Sequence, residues 1–177
     1  MPEHHFRLII DGALNDATLD ALVEAGCDDA TFSTKGSLTF ADFDRQAPTL
    51  REAITSAIAA IDSVDGLRVR RVEPEELVWA AEIAERTGRT RASIDLLIKG
   101  QRGPGTFPSP ASHATRNPLW RWSEVESWFA RYEGRQVDPE RSAVIAAVNG
   151  VLEARHSLRH SGQAEDLRPV LQKLLTS

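Results

Sequence analysis

The chain has 177 residues, 41% of them hydrophobic and 27% charged, a composition that excludes wholesale disorder and fibrous repeats. No stretch approaches the roughly 18–20 consecutive apolar residues of a membrane-spanning helix, so we expect a cytoplasmic protein without membrane association. The single cysteine, Cys27, excludes an internal disulfide and a multi-cysteine metal site.

The net charge of −5 is distributed unevenly along the chain. Residues 1–77 carry seven Lys and Arg against fifteen Asp and Glu, a balance of −8. Residues 78–135 carry nine against six, a balance of +3, and residues 136–177 carry five of each. Because phosphate attracts Lys and Arg, the middle segment is the one suited to nucleic acid. The charge distribution and the strand and helix patterns together predict three parts of the chain: 1–74, 75–135 and 136–177.

Strand and helix signals alternate in the first part. The β-rich run HFRLIID is followed by possible helix caps at Asn15 and Asp16 and by a helical pattern that ends at Gly26. Two period-2 segments, ATFST and SLTFADF, flank Lys35 and Gly36 and predict a β-hairpin.

A second helix and a fourth strand complete this part. Thr49 and Glu52 form a capping box, and apolar residues at helical spacing continue until Asp65 and Gly66 stop the helix: Leu50, Ile54, Ala57, Ile58 and Ile61. LRVRRVE is the fourth strand. The order βαββαβ resembles the ferredoxin-like fold, in which two helices cover one face of a four-stranded antiparallel sheet.

The other face of this sheet would carry residues such as Thr31, Arg68 and Arg70. We expect it to serve assembly or signal input through a partner or a second copy. A plain solvated surface and a ligand pocket are the alternatives, because a fold alone assigns no activity.

The middle part begins with a pattern of two short helices joined by a turn. VWAAEIAERTGRTRASIDLLIKG starts at Val78, Gly88 relieves the turn, and Thr90 can cap the second helix. The second helix would have an inner face formed by Ile94, Leu97 and Ile98. Its outward residues would be Ala92, Asp95, Leu96 and Lys99, flanked by Arg91 and Ser93.

The next stretch, QRGPGTFPSPASHATRNPLWRWSEVESWFARY, adds a glycine- and proline-rich turn, a Phe-Pro dipeptide, a tip at 111–117 and a strand at 119–122. Ser123 and Glu126 form a capping box for a helix that carries Val125, Trp128, Phe129 and Tyr132. We expect the aromatic residues to form a core and not a base-stacking surface. Over about fifty-five residues the order of these parts resembles the winged helix-turn-helix of the MerR and AlpA (excisionase-like) group.

This resemblance implies binding to double-stranded DNA, with the second helix in the major groove. The implied DNA-binding residues are Arg89, Thr90, Arg91, Ser93, Asp95, Lys99, Arg102, His113 and Arg116. The Arg and Lys side chains of the helix pair would bind phosphates or guanine edges, and Arg102, His113 and Arg116 the backbone beside the wing. Asp95 would repel phosphate unless it accepts from a cytosine amino group or pairs with a neighbouring Arg.

The patterns in residues 136–177 predict two helices. Asp138, Pro139 and Glu140 form a helix start, followed by an apolar stripe at Val144, Ala147, Val148, Val151 and Leu152. After a break at Ser161 and Gly162, a second stripe comprises Leu167, Val170, Leu171, Leu174 and Leu175. These helices would either fold back on the first domain or, as we favour, pair with a second copy in a homodimer.

No enzyme or cofactor is predicted. His156 and His160 have a spacing that can hold a metal, but Arg155 and Arg159 would oppose a cation, so we expect a solvated pair. Acidic residues at strand ends and turns are an ordinary surface: Asp11, Asp28, Asp29, Asp42 and Asp44. The sequence contains no nucleophile elbow, zinc-protease helix, Walker motif or dinucleotide fingerprint.

The leading hypothesis is a sequence-specific transcriptional regulator of bacterial type that binds double-stranded DNA as a homodimer. One alternative is an excisionase-like architectural factor. Another is an interaction module, antitoxin-like or adaptor, whose acidic first domain binds a protein partner; the −8 balance motivates it.

Overall fold

The structure, a computed structural model, describes residues 1–74, 76–112, 117–134, 139–161, 169, 172 and 173. The chain divides into two compact units. Unit 1 comprises Met1–Glu73 and Ala147–Ser177, and unit 2 comprises Pro74–Ala146. Helices and strands are combined as the predicted α+β class requires.

Unit 1 contains a four-stranded sheet and two helices in the predicted order βαββαβ. Its elements are β1 (Glu3–Asp11), α1 (Asp16–Glu24), β2 (Ala30–Lys35), β3 (Leu38–Gln46), α2 (Leu50–Asp62) and β4 (Arg68–Glu73). The strands lie in the order β2-β3-β1-β4, and every neighbouring pair is antiparallel. The predicted four-stranded antiparallel sheet is therefore present.

One face of this sheet carries the core of unit 1. Alternate residues of β3 are buried, as the two-residue period of a strand requires: Thr39, Ala41, Phe43 and Arg45. Phe43 stacks on Phe6 of β1 with ring centroids 5.2 Å apart. α2 buries one face at helical spacing, through Ala53, Ile54, Ala57 and Ile61.

Arg45 is a charged side chain within this core, where an unpaired charge would be costly. Its guanidinium donates to both carboxylate oxygens of Asp29 at 2.7 Å and lies 4.8 Å from the centre of the Phe43 ring. The hydrogen bond to Asp29 raises the pKa of Arg45. Arg45 therefore stays charged, and its bonds to Asp29 tie β3 to the segment before β2.

The turns and helix starts of unit 1 follow the sequence signals. Asn15 caps α1 and forms a capping box with Thr18. Thr49 caps α2 by accepting the N–H of Glu52 at 3.2 Å. Gly36, in the turn between β2 and β3, has a φ of 64°, which glycine adopts without a Cβ penalty. The predicted caps Asn15 and Thr49 and the turn glycine Gly36 are confirmed, whereas Asp16 lies within α1 and only the Thr49 half of the predicted capping box with Glu52 is present.

α6 (Pro139–Ser161) belongs to unit 2 up to Ala146 and to unit 1 from Ala147, and its unit 1 part covers the outer edge of β4 through side-chain hydrogen bonds. The amide of Asn149 accepts the Val72 N–H at 2.7 Å and donates to the Val72 carbonyl at 2.8 Å. Arg155 donates to the Val69 carbonyl and forms an ion pair with Asp62. Unpaired donors and acceptors of an edge strand are thus satisfied by a helix.

The packing face of α6 differs from the predicted apolar stripe. Ile145 and Leu152 are buried, whereas Val151, a predicted stripe member, is 57% exposed. Within unit 1, Asn149 and Leu152 share a face at i and i+3, and the hydrogen bonds of Asn149 select that face. The predicted cap Asp138 lies outside the described residues, and so do the five apolar residues of the second predicted stripe.

No helix in the described part of the chain has the length and apolar character needed to span a membrane.

Unit 2 contains β5 (Leu77–Trp79), α3 (Ala80–Thr87), α4 (Arg91–Ile98), β6 (Leu119–Arg121) and α5 (Trp122–Glu133). β5 and β6 pair antiparallel. The sequence pattern placed Val78 in the first helix, but it lies in β5, where it is fully buried. This prediction was wrong because the three-residue strand runs directly into α3 and leaves no break in the apolar pattern.

The predicted capping box of α5 is also absent. The helix begins at Trp122, one residue before Ser123, and has no side-chain cap. Ser123 donates its hydroxyl hydrogen to a Glu76 carboxylate oxygen at 2.6 Å, and the Trp122 N–H donates to the Glu76 carbonyl at 2.6 Å. Backbone contact with the residue before β5 therefore replaces the local cap.

Candidate nucleic-acid interface

α3 and α4 are joined by a short turn with defined backbone caps. Gly88 ends α3 in the left-handed region at φ 64°, and the Arg89 N–H donates to the Ala84 carbonyl at 2.8 Å. Thr90 begins α4, and its hydroxyl accepts the Ser93 N–H at 3.2 Å. The predicted glycine turn and threonine cap are confirmed.

α4 has one buried and one exposed face. Ile94 and Leu97 are buried, and Ile98 packs against the same core. The residues exposed on the other side are Arg91, Ala92, Leu96 and Lys99. The split matches the predicted inner and outer faces, because residues three and four apart share a face of a helix.

Arg91 and Asp95 form an ion pair along the exposed face of α4. The Arg91 Nε donates to a carboxylate oxygen of Asp95 at 2.9 Å, and the side chains are 53% and 40% exposed. This is one of the two arrangements expected for Asp95, pairing with a neighbouring Arg. An exposed pair at this spacing contributes only about 0.3–0.5 kcal/mol, so Arg91 can leave it at little cost.

Arg89 lies in a different environment although it is only two residues away. It forms an ion pair with Glu133 of α5, and its guanidinium lies 5.4 Å from the centre of the Phe129 ring. Its side chain is 25% exposed. The geometry joins the turn between α3 and α4 to the end of α5, so Arg89 already has a structural partner.

The remaining predicted contacts are spread over the turn, α4 and the loop after it. Thr90 is engaged as a helix cap, Ser93 is half-buried, and Lys99 and Arg102 are exposed. His113 and Arg116 lie outside the described residues. The structure therefore brings Arg91, Asp95 and Lys99 together on one helix face.

The aromatic residues form the core of unit 2, as predicted. Trp120, Trp128 and Phe129 are 2%, 4% and 5% exposed. Phe107 packs edge-on against all three rings, with its centroid 5.0 Å from that of Trp128. The two indole N–H groups are satisfied within the unit, by the Pro108 carbonyl at 3.1 Å and by Thr106 Oγ1 at 3.2 Å.

Trp79 is the feature of this surface that the sequence pattern missed. It is 53% exposed and, with Arg91 and Asn117, lines a cavity of about 250 Å³ beside the start of α4. Leu77, Val78 and Trp79 alternate between exposed and buried positions, as residues of a strand do, and this alternation could have placed Trp79 on the surface. Three residues are too few to distinguish a strand from a helix start.

Among the described residues, no group of three or more His, Cys, Asp or Glu side chains could hold a metal ion. Cys27 is buried in unit 1. Burial raises the pKa of the Cys27 thiol above its ordinary value of 9.0, and the nearby Arg45 opposes this shift. The thiol is therefore protonated at neutral pH and a poor nucleophile.

Comparison of the chain with protein-family models, with curated proteins and with solved structures gives no match.

Proposed function

We propose that the chain is a sequence-specific regulator that binds double-stranded DNA. In this proposal unit 2 is a winged helix-turn-helix of the MerR and AlpA type, with α4 as its recognition helix. The first 74 residues form a ferredoxin-like domain for assembly or signal input, and α6 belongs to the helical last part.

The exposed face of α4 is the observation that carries this proposal. Ile94 and Leu97 anchor the helix to the aromatic core, while Arg91 and Lys99 project from the opposite side. An α-helix with its side chains is about 10–12 Å across, and the DNA major groove, roughly 12 Å wide, admits such a helix. A firmly anchored helix with cations at both ends is suited to enter that groove.

Each predicted contact then has a chemical role. Arg91 would bind a guanine edge or a phosphate after releasing Asp95, and Asp95 could accept from a cytosine amino group. Lys99 and Arg102 would bind phosphates. Ser93 would donate to a phosphate or a base, and His113 and Arg116 remain proposed contacts of the wing.

The position of Arg89 favours a supporting role over direct contact. Its pairing with Glu133 holds the turn that precedes α4. Direct DNA contact by Arg89 would have to break this ion pair and expose Glu133, which is only 14% exposed, to solvent or to phosphate. We therefore assign Arg91, and not Arg89, the main part in recognition.

The proposal is tested by selection from a random duplex pool with the purified full chain, followed by binding measurements at several salt concentrations. An enriched inverted repeat with strong salt dependence would support a homodimeric regulator. Direct repeats with an extended footprint would favour the excisionase-like alternative. If a folded sample enriches no sequence, the proposal is wrong.

A second candidate function, protein interaction, is favoured by an apolar groove in unit 1. The groove measures about 350 Å³ and is lined by Ile58 of α2 and by Val148 and Val151 of α6. An exposed apolar surface of this kind is typical of interfaces. Light scattering of the purified chain and of Val151→Asp would test it, since loss of a dimer in the variant would assign the groove to a second copy.

A further inference from the structure

A small cavity in unit 1 is lined mainly by basic side chains, although unit 1 as a whole carries eleven Lys and Arg against sixteen Asp and Glu. Its volume is about 180 Å³, and β4, α6 and two glycine turns form its walls. The basic side chains that line it are Arg68, Arg70, Arg155, Arg159, His156 and His160. Asp11 is the acidic residue among the lining side chains.

The ion pairs within this cluster leave part of the charge uncompensated. Arg70 pairs with Asp11 at 3.5 Å, and Arg155 pairs with Asp62 of α2. Arg68 donates to the Asp62 carbonyl at 3.0 Å and the Val64 carbonyl at 3.3 Å, which are neutral groups at the end of α2.

Arg159 has no ion pair or hydrogen bond in the described part of the chain. Four Arg side chains thus face two carboxylates, which leaves a local excess of two positive charges.

A close approach of two glycines keeps side chains out of one wall of the cavity. Gly12 has a φ of 122°, and a Cβ at this position would lie 2.3 Å from the Gly66 carbonyl oxygen. No larger residue fits at position 12 without moving the backbone, so this part of the cavity wall consists of backbone without a side chain.

We propose that this cavity binds a small phosphate-class anion, either free phosphate or the terminal phosphate of a small organic molecule. The volume is below the roughly 300–1,000 Å³ of pockets for drug-sized ligands, so it suits one phosphate group better than a whole nucleotide. Guanidinium groups match the geometry of phosphate oxygens, and partial burial strengthens the attraction.

The two His residues have a secondary role in this proposal. Their rings lie 4.1 Å apart, and His160 Nδ1 donates to the His156 carbonyl at 2.9 Å. The Nδ1–H of His160 is thus used within α6 and is not free to donate to an anion. In this proposal the Arg side chains bind the anion.

A DNA backbone is the less favoured occupant of the same cluster. Asp11 lies in the lining, and Asp65 is exposed beside Gly66, so a duplex would bring phosphates close to carboxylates. Phosphate groups along a duplex also need a groove or stripe of cations, whereas these side chains line one small cavity.

The test is an NMR titration of the full chain with sodium phosphate at constant ionic strength, using chloride as the balancing anion. The expected result is saturable shifts of the His156 and His160 ring signals with phosphate and not with chloride. Arg159→Gln should weaken phosphate binding about tenfold, because a hydrogen bond to a charged group is lost. Arg51→Gln is the matched control: it removes the same charge from an exposed site in unit 1 outside this cavity.

Two further arms identify the occupant. Glycerol phosphate in place of inorganic phosphate should bind as tightly if the cavity takes a terminal phosphate of an organic ligand; binding of inorganic phosphate alone would assign the free ion. The proposal is overturned if chloride reproduces the shifts, if Arg159→Gln and Arg51→Gln bind phosphate equally, or if a short DNA duplex shifts these signals while phosphate does not.

Discussion

Arg89 pairs with Glu133 across unit 2, linking the turn before α4 to the last turn of α5. Two positions further on, Arg91 pairs with Asp95 of its own helix and remains more than half exposed. Both arginines were predicted to bind phosphates or guanine edges of DNA. The structure separates them, because one guanidinium packs over Phe129 and the other does not.

Replacing Arg91 with Ala should weaken duplex binding about tenfold without changing the midpoint of thermal unfolding. One good contact to a guanine or phosphate is lost, while the exposed ion pair contributes little to stability. Fluorescence anisotropy with the selected duplex measures the affinity. Unchanged affinity would show that α4 does not carry recognition.

Arg89→Ala is the matched comparison and should lower the stability of unit 2 by about 1–3 kcal/mol, since its ion pair with the largely buried Glu133 would be lost. All four tryptophans of the sequence, at 79, 120, 122 and 128, lie in unit 2. Urea unfolding followed by tryptophan fluorescence therefore reports this unit alone. An unaltered unfolding curve would contradict the structural role of Arg89.

Trp128→Ala should destabilise unit 2 by about 3–5 kcal/mol, because it removes a buried ring that contacts Phe107 and Phe129. Trp79→Ala is the control of the same chemistry at an exposed position and should change stability by less than about 1 kcal/mol. The remaining tryptophans provide the fluorescence signal in each variant. Equal losses in both variants would be inconsistent with the burial described.

Asn149→Ala should expose both backbone groups of Val72 and lower the stability of unit 1 by about 1–3 kcal/mol. Hydrogen exchange at the Val72 amide is the most direct measurement, and exchange should become faster. Val151→Ala, on the exposed side of the same helix, is the control and should leave this amide protected. Slow exchange in Asn149→Ala would mean that another group bonds to Val72.

The stability of unit 1 should fall above about pH 9 through Cys27. The raised pKa keeps the folded thiol protonated, while the unfolded thiol ionises near its ordinary value of 9.0, so the unfolded state gains stability as pH rises. Urea unfolding by circular dichroism at pH 7–10 measures this effect, with Cys27→Ala as reference. A constant difference between the two proteins over this range would contradict the shift.

The sequence was sufficient for elements whose signals are local. Caps at Asn15, Thr49 and Thr90 and the glycine turn at Gly88 all depend on a few neighbouring residues. The two faces of α4 follow from the period of a helix.

Features that depend on distant partners could not be predicted. The pairing of β5 with β6 places Leu77 beside Arg121, and the bond of Ser123 to Glu76 replaces a local cap. The ion pair between Arg89 and Glu133 joins residues 44 positions apart, and the hydrogen bond between Asn149 and Val72 joins residues 77 positions apart. Periodicity carries no information on such pairs.

The bond between Asn149 and Val72 also has a consequence for the order of events on the ribosome. At about 5–20 residues per second, the 77 positions between them take roughly 4–15 s to synthesise. During that interval the nascent sheet has no Asn149 to close the β4 edge, which can pair with strands of neighbouring chains. Slow translation of residues 73–149 would therefore lengthen the period in which the emerging protein is prone to aggregate.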